Sequence, residues 1–312
     1  MPFLDLLTES PALRINRFPD IDHFRGIERL ADARSIPLDL RNFASAFAAV
    51  TLKSCSIFLQ RTFPRILLGH YRTSGAMLAF AMNDADCVIL NGIEVRSPSL
   101  LLISGSTLCD IVERRANLIA FVNFHALGDR GWPLVENSAQ SIGADPRAFE
   151  ALRSVIREIL LLASSDHERF PGMIEAMEES ILEAIDNIFN AEQWTRAAWR
   201  PNLSGYLALV RKLDELLEHN AEHTVYSADI AGQLGVSVRT VHTAVVAIRG
   251  MSLHRYSRLQ RLWNVRRQLL PGPATRIKVI AFANGFWHMG EFARHYRAAF
   301  GETPQQTQQR RY

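Results

Sequence analysis

The chain has 312 residues, of which 48% are hydrophobic and 21% charged, and its formal net charge is +3. This length predicts two domains, and the apolar content is sufficient for two cores. No apolar run approaches the roughly 18 residues of a membrane span, and the first ten residues lack the basic start and apolar stretch of a secretory signal, so we expect a cytoplasmic protein that does not enter membranes.

Cysteine and histidine usage argues against metal and disulfide chemistry. Cys55, Cys87 and Cys109 lie far apart, and such a small, odd set predicts free thiols in a reducing compartment. The sequence has no Cys-x2-Cys pair, no His-Glu-x2-His and no glycine-rich phosphate loop, so we expect neither a metal site nor a cofactor. We expect isolated histidines such as His70 and His125 to be packed or solvated rather than catalytic.

Residues 45–125 are predicted to be rich in β-structure. Short apolar runs separated by Gly, Asn, Asp, Pro or Ser occupy residues 66–71, 75–82, 87–90, 100–104 and 118–124. Spacings near ten residues are typical of a small sandwich or barrel. Asn91-Gly92 predicts a tight hairpin turn within this series.

Such a barrel could enclose a small effector. The candidate ligand-binding residues are Met77, Phe80, Met82, Phe121 and Trp132. The same Met and aromatic pattern equally fits a barrel filled by its own side chains. A sensor that binds a protein co-regulator is a further alternative, and the sequence does not choose among them.

Two helices are predicted after the β-rich region. Asp145-Pro146 supplies an N-cap and a first helical residue, and a second helix is expected over residues 173–190. The second helix carries apolar residues at heptad spacing, flanked by acidic ones. This pattern favours pairing in a homodimer, although it also fits an amphipathic helix packed on its own barrel. The candidate dimerisation residues are Ile174, Met177, Ile181 and Ile188.

The C-terminal region contains a spaced duplication. Residues 230–235 (Ile-Ala-Gly-Gln-Leu-Gly) recur as 280–285 (Ile-Ala-Phe-Ala-Asn-Gly), 50 positions later. Each copy predicts a short helix, a glycine that adopts the positive φ of a tight turn, and a second helix. In the first copy Val241, Val245 and Ile248 repeat as a buried stripe, and in the second copy Phe292, Tyr296 and Phe300 do so. The sequence therefore predicts two helix-turn-helix units.

The stretch between the copies predicts a connecting helix over residues 253–270, with one apolar side and five arginines scattered around the rest. A helix of about 17 residues spans roughly 25 Å, and adjacent major grooves on one face of DNA lie about 34 Å apart. One such helix can therefore hold two reading helices in successive grooves.

The charge is distributed asymmetrically. Residues 224–312 contain 13 Lys and Arg against 3 Asp and Glu, a local excess of 10, whereas the remaining 22 basic and 29 acidic residues give the rest of the chain −7. A basic C-terminal module is what binding to a phosphate backbone favours.

The ordered motif resembles the DNA-binding domain of AraC/XylS-type transcription regulators over about residues 203–312. The scaffold positions that carry the resemblance are Ala231, Gly235, Ala281, Gly285, Phe286, Phe292 and Pro304. The chain departs from the family pattern at Val245, at Leu253 and at Gly290-Glu291. Gly290 offers little beyond its backbone, and Glu291 would repel phosphate unless it accepts from a cytosine amino group.

The resemblance implies base contacts from the exposed start of each second helix. The candidate base-contacting residues are Val238, Arg239, His242, Thr243, His288, Met289, Gly290 and Arg294. The candidate phosphate-contacting residues are Arg255, Arg258, Arg276, Lys278 and Arg297. The expected partners are double-stranded DNA, RNA polymerase, a second copy of the chain and a small effector, and family habit favours activation.

Together these features predict an α+β protein. Residues 1–165 would form a sensor domain similar to the cupin-like β-barrel of many relatives, residues 166–202 a helical dimerisation and linker segment, and residues 203–312 an all-α domain with two helix-turn-helix units joined by a linker helix. The predicted function is sequence-specific transcription regulation rather than catalysis. A cupin-like enzyme with a tethering or vestigial helical domain, and an adaptor that binds another protein, are the alternatives.

Overall fold

The computed structural model describes residues 3–24, 31–83, 87–125, 127–190, 195–196, 202–219, 227–272 and 275–310. Within these residues an antiparallel sheet is followed by a series of helices, and a short 3-10 helix (Phe3–Leu6) precedes the sheet.

The strands begin earlier than the sequence predicts, at residue 14 rather than about 45. They are β1 (Arg14–Phe18), β2 (Ala31–Pro37), β3 (Ser45–Thr51), β4 (Cys55–Arg61), β5 (Arg65–Ala81), β6 (Val88–Leu90), β7 (Ile93–Val95), β8 (Ser99–Glu113), β9 (Leu118–Phe124), β10 (Ser138–Gly143) and β11 (Thr195–Arg196).

The helices form the second half of the chain. They are α1 (Pro146–Ser165), α2 (Phe170–Asn190), α3 (Leu203–His219), α4 (Ser227–Gln233), α5 (Val238–Arg249), α6 (Leu253–Leu269), α7 (Ile277–Ala283), α8 (Met289–Phe300) and α9 (Pro304–Gln308).

The sheet is organised around two long strands. Its main order is β1-β3-β4-β9-β5-β8-β10-β11, while β2 pairs with the first half of β5 and the β6-β7 hairpin pairs with the end of β8. The predicted runs 66–71 and 75–82 are one continuous strand, β5, whose register shifts between Arg72 and Ala76. Gly75 lies at this irregularity, and a Cβ there would come 2.4 Å from the carbonyl oxygen of Phe124. Only glycine permits this close approach of two backbones.

The sheet does not close into the predicted barrel. Among the described pairings, β1 and β11 are the two ends of the main path, and no pairing joins them. Instead, one apolar face is covered by the hairpin of α1 and α2. Side chains such as Leu78 and Leu102 share a core with Ile156 and Ile181. A sheet face that helices bury does not need an opposing wall of strands.

Two local predictions are confirmed. The backbone at Asn91 and Gly92 has φ values of 50° and 83°, and these residues join β6 to β7 as a hairpin. Asp145 caps α1 by accepting hydrogen bonds from the backbone N–H groups of Arg147 and Ala148. Both signals are short-range, and both depend only on residues adjacent in sequence.

The predicted dimer face is covered within the chain. Met177 is 4% exposed, Ile181 and Ile188 are fully buried, and Ile174 packs at the edge of the same core. These side chains contact α1 and the sheet, so the amphipathic pattern of α2 reflects packing on its own domain. A homodimer would therefore need a different surface.

A second region of the sheet lies against the C-terminal helices (α3–α9). Ile36, Ile66 and Val112 of the sheet share a core with α3 to α6, and Phe24, Leu40 and Phe63 share a second core with α6 to α8. Polar contacts reinforce this packing. The indole N–H of Trp263 donates to the carbonyl of Pro37 at 3.1 Å, and the backbone N–H of Leu40 donates to the carbonyl of Ala299 at 2.9 Å.

Candidate nucleic-acid interface

The helix pair α4–α5 buries one face and exposes the other. Ile230 and Val245 are fully buried, and Gly235 makes the turn between the helices with a φ of 67°. Ser237 caps α5 by accepting a hydrogen bond from the backbone N–H of Thr240 at 3.1 Å. A capped first turn fixes the direction in which the exposed side chains of α5 point.

The predicted base-contacting residues of this pair lie together at the exposed start of α5. Val238, Arg239, His242 and Thr243 are all exposed. The hydroxyl of Thr243 donates to the carbonyl of Arg239 at 2.9 Å, so this hydroxyl is engaged within its own helix. Arg239 and His242 are thus the residues of this group best suited to donate to an external partner.

The pair α7–α8 repeats the arrangement. Phe292, Tyr296 and Phe300 are buried, and the hydroxyl of Tyr296 donates to Thr307 at 2.8 Å. Gly285 makes the turn with a φ of 73°. The backbone of His288 is the N-cap of α8, but no side-chain hydrogen bond caps this helix.

The predicted base-contacting residues of α8 are less uniform. His288, Gly290 and Arg294 are exposed, whereas Met289 packs partly against the core that α8 shares with the sheet. Arg294 lies 4.0 Å from Glu291, and both side chains are about two-thirds exposed. An exposed pair at this distance contributes little to stability and leaves the guanidinium accessible.

Four of the five predicted phosphate-contacting residues are exposed. These are Arg255, Arg276, Lys278 and Arg297, while Arg258 is half-buried. The Lys278 ammonium lies 5.3 Å from the centre of the Phe282 ring. Near Arg258, partial burial and the charges of Arg258 and Arg294 lower the pKa of His295, so this histidine adds little positive charge at neutral pH.

The sequence predicts that the five arginines of α6 lie outside its apolar side, but not all of them are surface cations. Arg266 is 1% exposed and donates to Asp22 at 2.6 Å, with Glu302 at 3.4 Å. Arg261 donates to the carbonyl of Gly285 at 3.1 Å, and its guanidinium lies over the Phe286 ring. These two arginines are engaged within the chain, so the positive charge open to a partner is smaller than the residue count indicates.

A second buried arginine, Arg249, is the last residue of α5. It is fully buried and binds two carboxylates, Asp110 of β8 and Asp214 of α3, the latter at 2.5 Å. The Tyr256 hydroxyl donates to Asp214 at 2.5 Å and accepts from the Gln260 amide at 2.8 Å. This ionic cluster (Asp110, Asp214, Arg249, Tyr256 and Gln260) joins the sheet to the first helix pair.

Burial dominates the titration of the ionic cluster. It raises the pKa of Asp110 to about 6, although the charge of Arg249 opposes the shift, and it raises the pKa of Asp214 for the same reason. Burial alone would lower the pKa of Arg249, but the negative charges of its partners outweigh this and raise it. Within the described residues, the second carboxylate oxygen of Asp110 has no hydrogen-bond partner.

Sequence reasoning missed the burial of Arg249 and of Arg266. A signal was present, because Arg249 lies four residues after Val245 and Arg266 four residues after Leu262, which places both on apolar helix faces. An arginine that interrupts such a stripe has to find carboxylates when it is buried.

The sheet contains a small cavity behind the ionic cluster. Its volume, taken as the space open to the centres of water molecules, is about 60 Å³, and Arg65, Glu113, Phe80 and Phe121 are among its lining residues. Arg65 is fully buried and lies 3.3 Å from Glu113. The cavity is therefore mainly apolar with one buried ion pair in its wall.

The predicted ligand-binding residues are divided between two cores. Phe80 and Phe121 line the cavity, and Met77 packs in the same cluster as Phe121. Phe80 also belongs to the core on the opposite side, where Met82 and Trp132 pack with α1 and α2. There the indole N–H of Trp132 donates to Asp186 at 2.7 Å.

No constellation of three or more metal-ligating side chains occurs among the residues that the structure describes. All three cysteines are free, and burial raises the pKa of Cys55 and of Cys109 to about 12. Of the helices described, none combines the length and the apolar character needed to traverse a bilayer.

Comparisons with known proteins point to the C-terminal helices. The family described as "Helix-turn-helix domain" matches residues 230–310. The chain is 30% identical over 134 residues to the "Probable thc operon regulatory protein" of Rhodococcus erythropolis, covering 42% of this chain and 39% of that protein. It is 32% identical over 96 residues to the "XylDLEGF operon transcriptional activator 2" of Pseudomonas putida, covering 30% of this chain and 60% of that protein.

The chain is also similar to a solved structure. A chain described as a probable AraC family transcriptional regulator from Rhodopseudomonas palustris CGA009 is 32% identical, with 33% of this chain and 95% of that chain covered and a TM-score of 0.30. The alignments thus span about two-fifths of the Rhodococcus protein, three-fifths of the Pseudomonas protein and nearly all of the Rhodopseudomonas chain. The chain belongs to the AraC/XylS family of transcription regulators, and its C-terminal helices carry the relationship.

Proposed function

We propose that this protein is a sequence-specific transcriptional regulator that reads double-stranded DNA with two helix-turn-helix units, α4–α5 and α7–α8. The observation that carries the proposal is the repeated geometry. Two helix pairs, 50 residues apart in sequence, each bury an apolar stripe, turn at a glycine of positive φ and expose the start of the second helix. This is the arrangement that places a recognition helix in the major groove.

The connecting helix supports simultaneous reading of two grooves. α6 runs without interruption for 17 residues, and its side chains contribute to the cores of both pairs. It also contacts β2 through Trp263 and the turn after β1 through Arg266, which donates to Asp22. The two reading helices are therefore held at a fixed separation, which makes the spacing between the two half-sites part of the specificity.

The exposed charges support a division of roles. Arg239 and His242 stand at the start of α5, where base edges would be reached, whereas Arg255, Arg276 and Arg297 lie away from it and suit phosphate. Loss of a base contact removes preference for one sequence. Loss of a phosphate contact weakens binding to every sequence and flattens the dependence on salt.

We also propose that the cavity binds a small effector and that its occupancy is transmitted through a single layer of strands. Along β8, Ile111 and Glu113 line the cavity, while the alternate residues Asp110 and Val112 contact the C-terminal helices. Alternation of side chains across a strand makes this wall one residue thick. A ligand that displaces the wall would move Asp110, and with it Arg249 at the end of α5.

The proposal also includes activation, contact with RNA polymerase and homodimer formation, because these are common in the family. Three of the four residues of the predicted dimer face are buried in the protomer and Ile174 is half-buried, so pairing would use another surface. The two named relatives are an operon regulatory protein and an operon transcriptional activator. Their names support a regulatory role on DNA.

The test is selection of genomic fragments by the purified full-length protein, followed by gel shifts on a recovered site. We expect Arg239→Ala to lose about 1–3 kcal/mol of discrimination between the selected and a scrambled duplex. Its residual binding to bulk DNA should persist. Arg169→Ala, which removes an exposed arginine of the α1–α2 connection, is the matched control and should bind like the wild type. Equal losses of Arg239→Ala on both duplexes would refute the assigned role.

A further inference from the structure

An exposed indole stands at the entrance to α8. Trp287 is 62% exposed, the largest value given by any large hydrophobic side chain in the described part of the chain. Exposure of so much apolar surface to water is unfavourable. A side chain of this kind on the proposed DNA-binding face therefore calls for a partner.

Its neighbours hold the indole in place. Phe286, directly before it, is buried and packs on Phe292 with ring centres 5.1 Å apart, which anchors the backbone. On the solvent side, Trp287 packs against Phe282 with ring centres 5.7 Å apart, and the Lys278 ammonium lies over the Phe282 ring. This tilted contact with Phe282 limits the rotamers of the indole before any partner binds, which reduces the entropy lost on binding.

The surroundings of Trp287 fit DNA. Arg276, Lys278 and Arg294 are exposed on or directly before α7 and α8, and Glu291 is the one acidic residue of these two helices. The first turn of α8 offers few side-chain hydrogen-bond donors, because Met289 is apolar and Gly290 has no side chain. A duplex combines a polyanionic backbone with an apolar group in the major groove, the C5 methyl of thymine.

We propose that Trp287 is a specificity-determining residue that packs on a thymine methyl group at the edge of the site read by α8. This inference rests on the proposed function and assigns part of its sequence preference to an apolar contact. The methyl group is the feature that distinguishes thymine from uracil, so the contact can be removed from the DNA without changing any hydrogen bond.

The test combines variants of the protein with variants of the duplex. In a selected site, each thymine is replaced in turn by deoxyuridine, and the affinity of the full-length protein is measured. For the wild type, we expect replacement of one thymine to weaken binding about fourfold, the value of burying one methyl group. Trp287→Ala should bind the thymine duplex at least fourfold more weakly than the wild type and should no longer distinguish thymine from uracil at that position.

Two controls separate the contact from general effects. Trp287→Phe keeps an aromatic ring and should retain part of the discrimination. Leu161→Ala removes an exposed apolar side chain of α1 and should leave both affinities unchanged. Because the indole is exposed, thermal unfolding of Trp287→Ala should match that of the wild type, and its salt dependence should be unchanged because no phosphate contact is lost.

The outcomes are distinct. An equal loss on thymine and uracil duplexes would overturn the inference, as it would assign the indole to the sugar–phosphate backbone. Wild-type affinity of Trp287→Ala for DNA would also overturn it and would point to a protein partner for this surface. If the wild type itself shows no preference among duplexes, the proposed function fails, and this inference fails with it.

Discussion

Arg249→Met offers the sharpest test of the junction between the sheet and the first helix pair. The substitution keeps an unbranched side chain of similar reach and removes the guanidinium that Asp110 and Asp214 share. Both carboxylates lie in the interior, with side-chain exposures of 1% and 10%. Asp214 retains the Tyr256 hydroxyl as a donor, whereas Asp110 loses the arginine that donates a hydrogen bond to it.

The expected cost at neutral pH is about 4 kcal/mol of unfolding free energy, since removal of one partner from a buried ion pair typically costs about 3–5 kcal/mol. Most of this cost comes from the uncompensated charges that remain. Arg255→Met removes an exposed arginine close by on α6 and should change stability by less than about 0.5 kcal/mol.

The cost should depend on pH in a defined direction. The pKa of Asp110 in the folded protein, about 6, lies above its ordinary value of 3.8. The folded state therefore holds this proton more tightly than the unfolded chain, and the stability that results is present below pH 3.8 and lost as pH rises through 6. Without Arg249 the pKa of both carboxyl groups should rise further, so the variant should lose stability more steeply than the wild type between pH 5 and 7.5.

Urea unfolding followed by circular dichroism at pH 5 and 7.5 measures these differences. We expect the gap between Arg249→Met and the wild type to be smaller at pH 5. A gap no larger than that of Arg255→Met, or one that widens toward low pH, would refute the argument that buried, uncompensated carboxylates are responsible.

Two further predictions concern the turn and the cavity. Gly235→Ala should destabilise the protein by about 1 kcal/mol, because a φ of 67° is strained for alanine although its Cβ would meet nothing within 4 Å. Gly232→Ala, in open space on α4, should instead stabilise the protein by about 0.5 kcal/mol. Thermal unfolding that ranks the two variants in the opposite order would contradict this. Ala79→Leu should fill the cavity and abolish the thermal stabilisation that a compound bound there confers on the wild type. Gel shifts of the unliganded variant should stay normal. Stabilisation of the variant by the same compound would place the binding site elsewhere.

The turns, the helix ends and the exposed face of the two helix pairs were predictable because their signals are local. The glycine turns, the caps at Ser237 and Asp145 and the apolar stripes of α5 and α8 depend on residues within a few positions of one another. The start of α5 carries its exposed polar residues for the same reason. Trp287 was overlooked because a residue between a buried Phe and an N-cap has no periodicity that predicts its exposure.

The sequence alone therefore determined the two helix pairs, the connecting helix, the β-rich first half and the family. The tertiary structure decided which polar groups are available, because burial of Arg249 and Arg266 depends on carboxylates more than 30 residues away in the chain. It also decided that the sheet stays open and that α2 packs inward. Apolar faces are alike in sequence whether they meet a strand, a helix or a second copy, and only the folded chain selects the surface that covers them.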